Sequence, residues 1–146
     1  MPYARLFYHI VWTTKYRQPL INDANREAIL KAIAAKIIAL NGICHAVNAV
    51  SDHVHLVATI PAAIPLGTCI GQVKGNSSHL ASRLPGNAAN EPFKWQSGYA
   101  VLTVSESHLE RVVQYVINQQ RHHQEGSLHD RLERCEEEEQ PSVTAR

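Results

Sequence analysis

Apolar and polar positions along this chain alternate with two periods, and the switches between them mark its elements. Residues 5–14 read R-L-F-Y-H-I-V-W-T-T, rich in aromatic and β-branched types, which predicts a strand. After a turn-like stretch around Gln18-Pro19, Asn22-Asp23 offers an N-cap to a helix whose Ile29, Leu30, Ile33, Ile37 and Leu40 share one face. Asn41-Gly42 ends that helix, with the glycine expected in the left-handed conformation. Residues 43–50 and 53–60 read as two strands separated by Ser51-Asp52. Pro61 and Pro65 lead into a second helix over 66–84, closed by Pro85-Gly86. Residues 87–97 are polar and turn-rich, and 99–104 form a fourth strand. Ser107 and Glu110 make a capping-box pattern at the head of a third helix. Its apolar stripe is Leu109, Val112, Val113, Val116 and Ile117, and it runs to about residues 124–126. A short terminal helix is expected over 127–139.

The order β-α-β-β-α-β-α predicts an α+β protein. Its first six elements make a ferredoxin-like antiparallel sheet, to which a further helix is added. The chain divides into a domain over 1–126 and a partly helical acidic tail over 127–146. With 45% apolar and 18% charged residues in 146, the composition is that of one globular domain. The net charge of +1 hides an asymmetry: residues 1–132 carry +4 and all nine histidines, whereas Glu133 and Glu136 to Glu139 crowd the end. A mildly basic body is compatible with a polyanionic partner. Three widely spaced cysteines without a C-x-x-C pattern argue against a disulfide framework or a zinc knuckle. With no signal-peptide pattern and no apolar run approaching the ~18–20 residues of a membrane span, a soluble cytoplasmic protein is expected.

The chemistry concentrates in Asp52-His53-Val54-His55-Leu56. Side chains alternate along a strand, so His53 and His55 point to the same side, ~7 Å apart, while Val54, Leu56, Ala58 and Ile60 face the core. Two imidazoles on a rigid strand make half of a metal site; the bland alternative is a pair of histidines on a solvated sheet face. On the third helix, Arg111, Tyr115 and Gln119 lie on one stripe, with His108 and His122 near its ends. G-Q-V-K-G-N-S-S (71–78) lacks the spacing of a nucleotide-binding phosphate loop and begins inside a helix.

The ordered set D-H-V-H-L, then Q-Y-V-I-N-Q about sixty residues later, resembles the single-tyrosine HUH transposases, both insertion-sequence and REP-associated. Y-H-I-V-W-T-T-K-Y-R (8–17), V-K-G-N-S-S (73–78), F-K-W-Q-S-G-Y (93–99) and N-Q-Q-R-H-H (118–123) continue the likeness, which spans about residues 3–125. The resemblance implies Tyr115 as nucleophile, and His53, His55 and Gln119 as ligands of a divalent ion, Mg2+ or Mn2+. It also implies cleavage and rejoining of single-stranded DNA with hairpin ends through a 5′-phosphotyrosine, by a homodimer. Lys74, Ser77, Ser78, Trp95 and Arg111 are the candidate DNA contacts. Ser51 departs from the proline common before the aspartate, which alters a turn and no ligand. Two other classes remain open at this point: a ferredoxin-like single-strand-binding module without catalysis, and a hydrolase in which an ion activates water.

Overall fold

The computed structural model describes residues 3–87, 92–126 and Glu133. Four strands, β1 (Phe7–Thr13), β2 (Ile43–Ala49), β3 (His53–Thr59) and β4 (Ala100–Val104), form one antiparallel sheet in the order β2-β3-β1-β4. Helices α1 (Arg26–Ala39) and α2 (Leu66–Ser82) cover one face. Ile10 and Trp12 of β1, Val54, Leu56 and Ala58 of β3, Ile29, Ile33 and Ile37 of α1, and Ile70 and Val73 of α2 close into the main core. Each buried valine, leucine or isoleucine among them contributes roughly 1.5–3 kcal/mol by leaving water. The expected ferredoxin-like α+β arrangement is therefore present.

The second face differs. Helix α3 (Leu109–Ile117) packs Val112 and Val116 on Ala46 and Val57, a small apolar patch. The remainder of that face is polar and yet buried: His9 and Thr13 on β1, His53 and His55 on β3. The alternation read from the sequence is correct, but this face is roofed rather than solvated. Residues 127–132 and 134–146, including most of the expected terminal helix, lie outside the described residues.

Several local expectations change. Asn22 does cap the approach to α1, its Oδ1 accepting from the amides of Ala24 (2.9 Å) and Asn25 (3.0 Å), although the helix proper begins at Arg26. At the other end Asn41, not Gly42, takes the left-handed conformation, with φ 65°. Gly42 is needed for space instead: a Cβ there would stand 2.6 Å from the Thr59 carbonyl oxygen and 3.0 Å from Ile37. No Ser107–Glu110 box forms, because Ser107 lies inside a 3-10 turn over Glu106–His108 and its hydroxyl bonds His108 Nδ1 at 3.2 Å. Ile117 leaves the apolar stripe and is 52% exposed.

The predicted third helix is two. It breaks at Asn118, and α4 (Gln119–Glu125) continues from there. The cause is Asn48 on β2, whose Nδ2 donates to the carbonyls of Val116 (3.1 Å) and Ile117 (3.0 Å) and to Gln120 Oε1 (2.9 Å). Gln120 returns bonds to Asn48 Oδ1 and the Ala49 carbonyl. Carbonyls that would otherwise end a helix unsatisfied are thus tied to the sheet.

Gly42→Ala is expected to lose about 1–3 kcal/mol, because the intruding methyl meets backbone rather than a flexible side chain. Asn41→Gly, at the left-handed position, is expected to be neutral or slightly stabilising. Urea or thermal melts of the two variants check the pair.

Candidate active site

The site is built from the buried polar strip of the sheet. Register sets Val11 opposite His55 and Thr13 opposite His53, so His9 falls diagonally next to His55 on the same face. His9 Nε2 and His55 Nδ1 lie 2.9 Å apart with their rings stacked. His53 Nδ1 lies 2.7 Å from Asp52 Oδ1, and since a carboxylate only accepts, that nitrogen carries the proton. The remaining nitrogens, His53 Nε2 and His55 Nε2, converge on one oxygen, Glu133 Oε2, at 3.2 and 3.0 Å.

The other carboxylate oxygen turns to α3. Tyr115 Oη donates to Glu133 Oε1 at 2.7 Å, and its ring stacks on His122 at 4.5 Å. Gln119, fully buried, accepts at Oε1 from His123 Nε2 (3.1 Å), whose ring lies 4.9 Å from that of His53. Gln119 Nε2 has no hydrogen-bond partner among the described residues. His123 thus touches both Gln119 and the ring of His53. Arg111, on the same expected stripe, is exposed.

Charge is distributed accordingly. Burial would raise the Glu133 carboxyl, but hydrogen bonds from His53, His55 and Tyr115 hold it well below the usual carboxylate range. Burial would depress His53, yet its bonds to Glu133 and Asp52 carry it above the ordinary histidine value. Burial dominates for His55, which is lowered, and for His9, pushed down to about 3 by burial and by its neighbour His55. His53 Nε2, His55 Nε2 and a Glu133 oxygen lie within 4.8 Å of one another, a donor set that could hold a divalent metal ion. The set fits such an ion on its own chemistry. Asp52 and Glu133 bracket His53, so its Nε2 needs either a second proton or a cation to face a carboxylate.

Comparison with known proteins decides the family. The sequence model for IS200-like transposases matches residues 3–119. The chain belongs to the IS200-like transposases. It is 31% identical over 126 residues to the ISDra2 transposase TnpA of Deinococcus radiodurans, covering 79% of this chain and 84% of that one. A crystal structure of a Deinococcus radiodurans transposase, 24% identical, superposes with a TM-score of 0.59 over 82% of this chain and 95% of its own. A REP-associated tyrosine transposase bound to a REP hairpin, 15% identical, gives 0.60 over 84% and 74%. At these identities the two structures speak for the fold alone. This chain is accordingly a transposase, an enzyme of DNA transposition.

The structure of this transposase brings His53, His55 and Tyr115 together through Glu133, a residue that composition grouped with the acidic end and that lies beyond the 3–119 match. No spacing rule reaches it. His9 was readable in principle, since strand alternation sets it on the face of Val11 and Thr13, but one histidine among nine carries little signal. Of the candidate DNA contacts, Lys74 and Ser77 are buried: Lys74 Nζ donates to the carbonyls of Gln96 (2.6 Å) and Gly98 (2.9 Å), and Ser77 Oγ accepts from Trp95 Nε1 (3.0 Å). Trp95 is half-buried against Trp12 and Phe93, and Ser78 is partly exposed.

His9 orients His55. If the Nε2 of His55 faces an ion, its Nδ1 proton must go to His9 Nε2. His9→Phe is expected to weaken Mn2+ binding by about 10–100-fold, and His9→Gln, which can accept that proton, to keep most of it. Calorimetric titration on metal-free protein measures this; unchanged affinity in His9→Phe would mean that His9 only packs.

Proposed function

We propose that this transposase cleaves and rejoins single-stranded DNA through a covalent bond between Tyr115 and a 5′ phosphate.

 The substrate in this reading is single-stranded DNA with hairpin ends, as the family resemblance implies. The observation that carries it is the Glu133 carboxylate, with one oxygen on both histidines and the other on the tyrosine hydroxyl. A nucleophile and a cation-binding pair are thereby held one carboxylate apart, within one chain.

His53 and His55 would hold a divalent ion, with Glu133 as a further protein ligand in this conformation and Gln119, here engaged by His123, as the ligand that the family resemblance implies. When bound, the ion supplies polarisation of a phosphate oxygen and stabilises charge that develops in the transition state. Mg2+ and Mn2+ are the candidates; two imidazoles suit Mn2+ better, because Mg2+ prefers oxygen ligands.

The rest of the chemistry belongs to the chain. Tyr115 Oη attacks the phosphorus, the new O–P bond forms, and the bond to the 3′ oxygen breaks. A free phenol has a pKa near 10, so little of it is ionised at neutral pH. As the O–P bond forms the phenolic proton becomes strongly acidic, and even a weakly basic carboxylate such as Glu133 can receive it along the existing hydrogen bond. The 3′ oxygen leaves and takes a proton from water. Because the phosphodiester bond is exchanged rather than hydrolysed, attack by a 3′ hydroxyl on the phosphotyrosine reverses the step without external energy. The homodimer and the cytoplasmic setting belong to the same reading. Contact between Tyr115 and its own chain's histidines through Glu133 supports a site completed in cis.

Incubation with single-stranded DNA from the flanks of the gene and Mn2+ is expected to give an SDS-resistant protein–DNA adduct. Tyr115→Phe and His55→Ala should each abolish it, and Glu133→Gln should lower both the adduct yield and Mn2+ affinity, the latter by about tenfold or more. Cleavage that persists in Tyr115→Phe would instead identify a water-activating hydrolase, and binding without cleavage a non-catalytic module.

A further inference from the structure

On the helical side of the sheet, a cavity of about 470 Å3 opens between α2 and residues 93–99. Its volume falls in the range of about 300–1,000 Å3 common to ligand clefts. Gly67, Gly71 and Gly75 line it, one turn apart along α2. Glycine inside a helix is destabilising relative to alanine, so its presence needs a reason. Gly42 has one in the backbone it nearly touches; Gly71 and Gly75 have none, since a Cβ at either would meet nothing within 4 Å. Among the described residues none occupies the room they leave.

The walls indicate what uses it. Lys15, Lys74 and Lys94 line the cavity, and among the described residues no acidic one does. Among the described residues none of these lysines forms an ion pair. Lys74 is 9% exposed, and two of its three N–H donors go to the Gln96 and Gly98 carbonyls, so that among the described residues one donor is left over in a buried side chain that lines the cleft. Tyr99, 38% exposed, offers a ring face at the same opening, with Lys74 Nζ 6.0 Å from its centroid. Cations beside an exposed aromatic face, over a floor without side chains, suit a polyanion whose bases stack.

Backbone bonds tie the cleft to the strand ends that carry the active site on the other face of the sheet. Trp95 pairs with Thr14, the Lys15 amide donates to the Lys94 carbonyl (3.0 Å), and the Thr14 amide donates to the Asp52 carbonyl (2.8 Å). The end of β1 that stands opposite His53 thus continues directly into the cleft wall.

We propose that this cleft seats the single strand of DNA adjoining the scissile phosphate, with a base on Tyr99, phosphates at Lys15 and Lys94, and its backbone passing close over Gly71 and Gly75. The assignment rests on the DNA-cleaving reading above for its choice of ligand, and it adds where the uncleaved strand lies. A cleft that meets base faces and phosphates tolerates sequence, so a generic strand is a fair probe.

Fluorescence anisotropy with a labelled oligothymidylate of about 20 nucleotides, on the full chain, tests this. Gly71→Leu fills the floor in open space, and its melting temperature should not fall below that of the parent. It is expected to weaken binding by about tenfold, and Lys15→Gln with Lys94→Gln to weaken it and flatten its salt dependence by about one unit of slope. Tyr115→Phe should bind as the parent does while losing the adduct. If Gly71→Leu binds within twofold of the parent while the adduct still forms on Tyr115, the cleft assignment is overturned and the catalytic reading stands. Weakened binding with no adduct in the parent leaves the cleft standing and removes the catalytic reading. Failure of the parent to bind the oligothymidylate, or equal competition by a duplex of the same length, overturns the cleft assignment.

Discussion

Three imidazoles buried side by side on one face of a β-sheet are the constraint around which this chain is arranged. His9, His53 and His55 are at most 2% exposed, and polar rings removed from water in this way must find partners. They find them in a chain of contacts: His9 on His55, Asp52 on His53, and Glu133 on both strand-borne histidines. A roof is needed to bury them, which gives the added helices their place. Asn48 fixes that roof by holding the α3–α4 break against β2. Tyr115 is oriented as a result, at a distance from the histidines that one carboxylate bridges.

Much of this could be read from the residues. The strand alternation that puts His53 and His55 together and Val54 and Leu56 in the core is a matter of period two, and it survives any tertiary context. Tyr115 was legible through resemblance. What could not be read depends on long-range partners: the helix break answers to an asparagine 70 residues earlier in the sequence, as Asn48 meets Asn118's neighbours. Glu133 looked like one acid of an acidic end, since charge counting has no term for a carboxylate that finds two buried imidazoles. Gly42 was identified as a stop signal correctly but for the wrong physical reason, with packing and not dihedral freedom requiring it.

The two polar segments that carried the family likeness outside the site serve each other before they serve a ligand. Ser77 receives the indole N–H of Trp95, Lys74 gathers the carbonyls of Gln96 and Gly98, and Ser82 donates to the carbonyl of Phe93. Neither segment makes structural sense alone.

That mutual dependence has an evolutionary consequence. A single replacement at Trp95 would leave the Ser77 hydroxyl only its bonds within α2 and loosen the wall that Lys74 braces, so each side constrains what the other may become. Residues 73–78 and 93–99 should therefore drift through sequence space as one inherited unit, while the helix surface around them diverges freely.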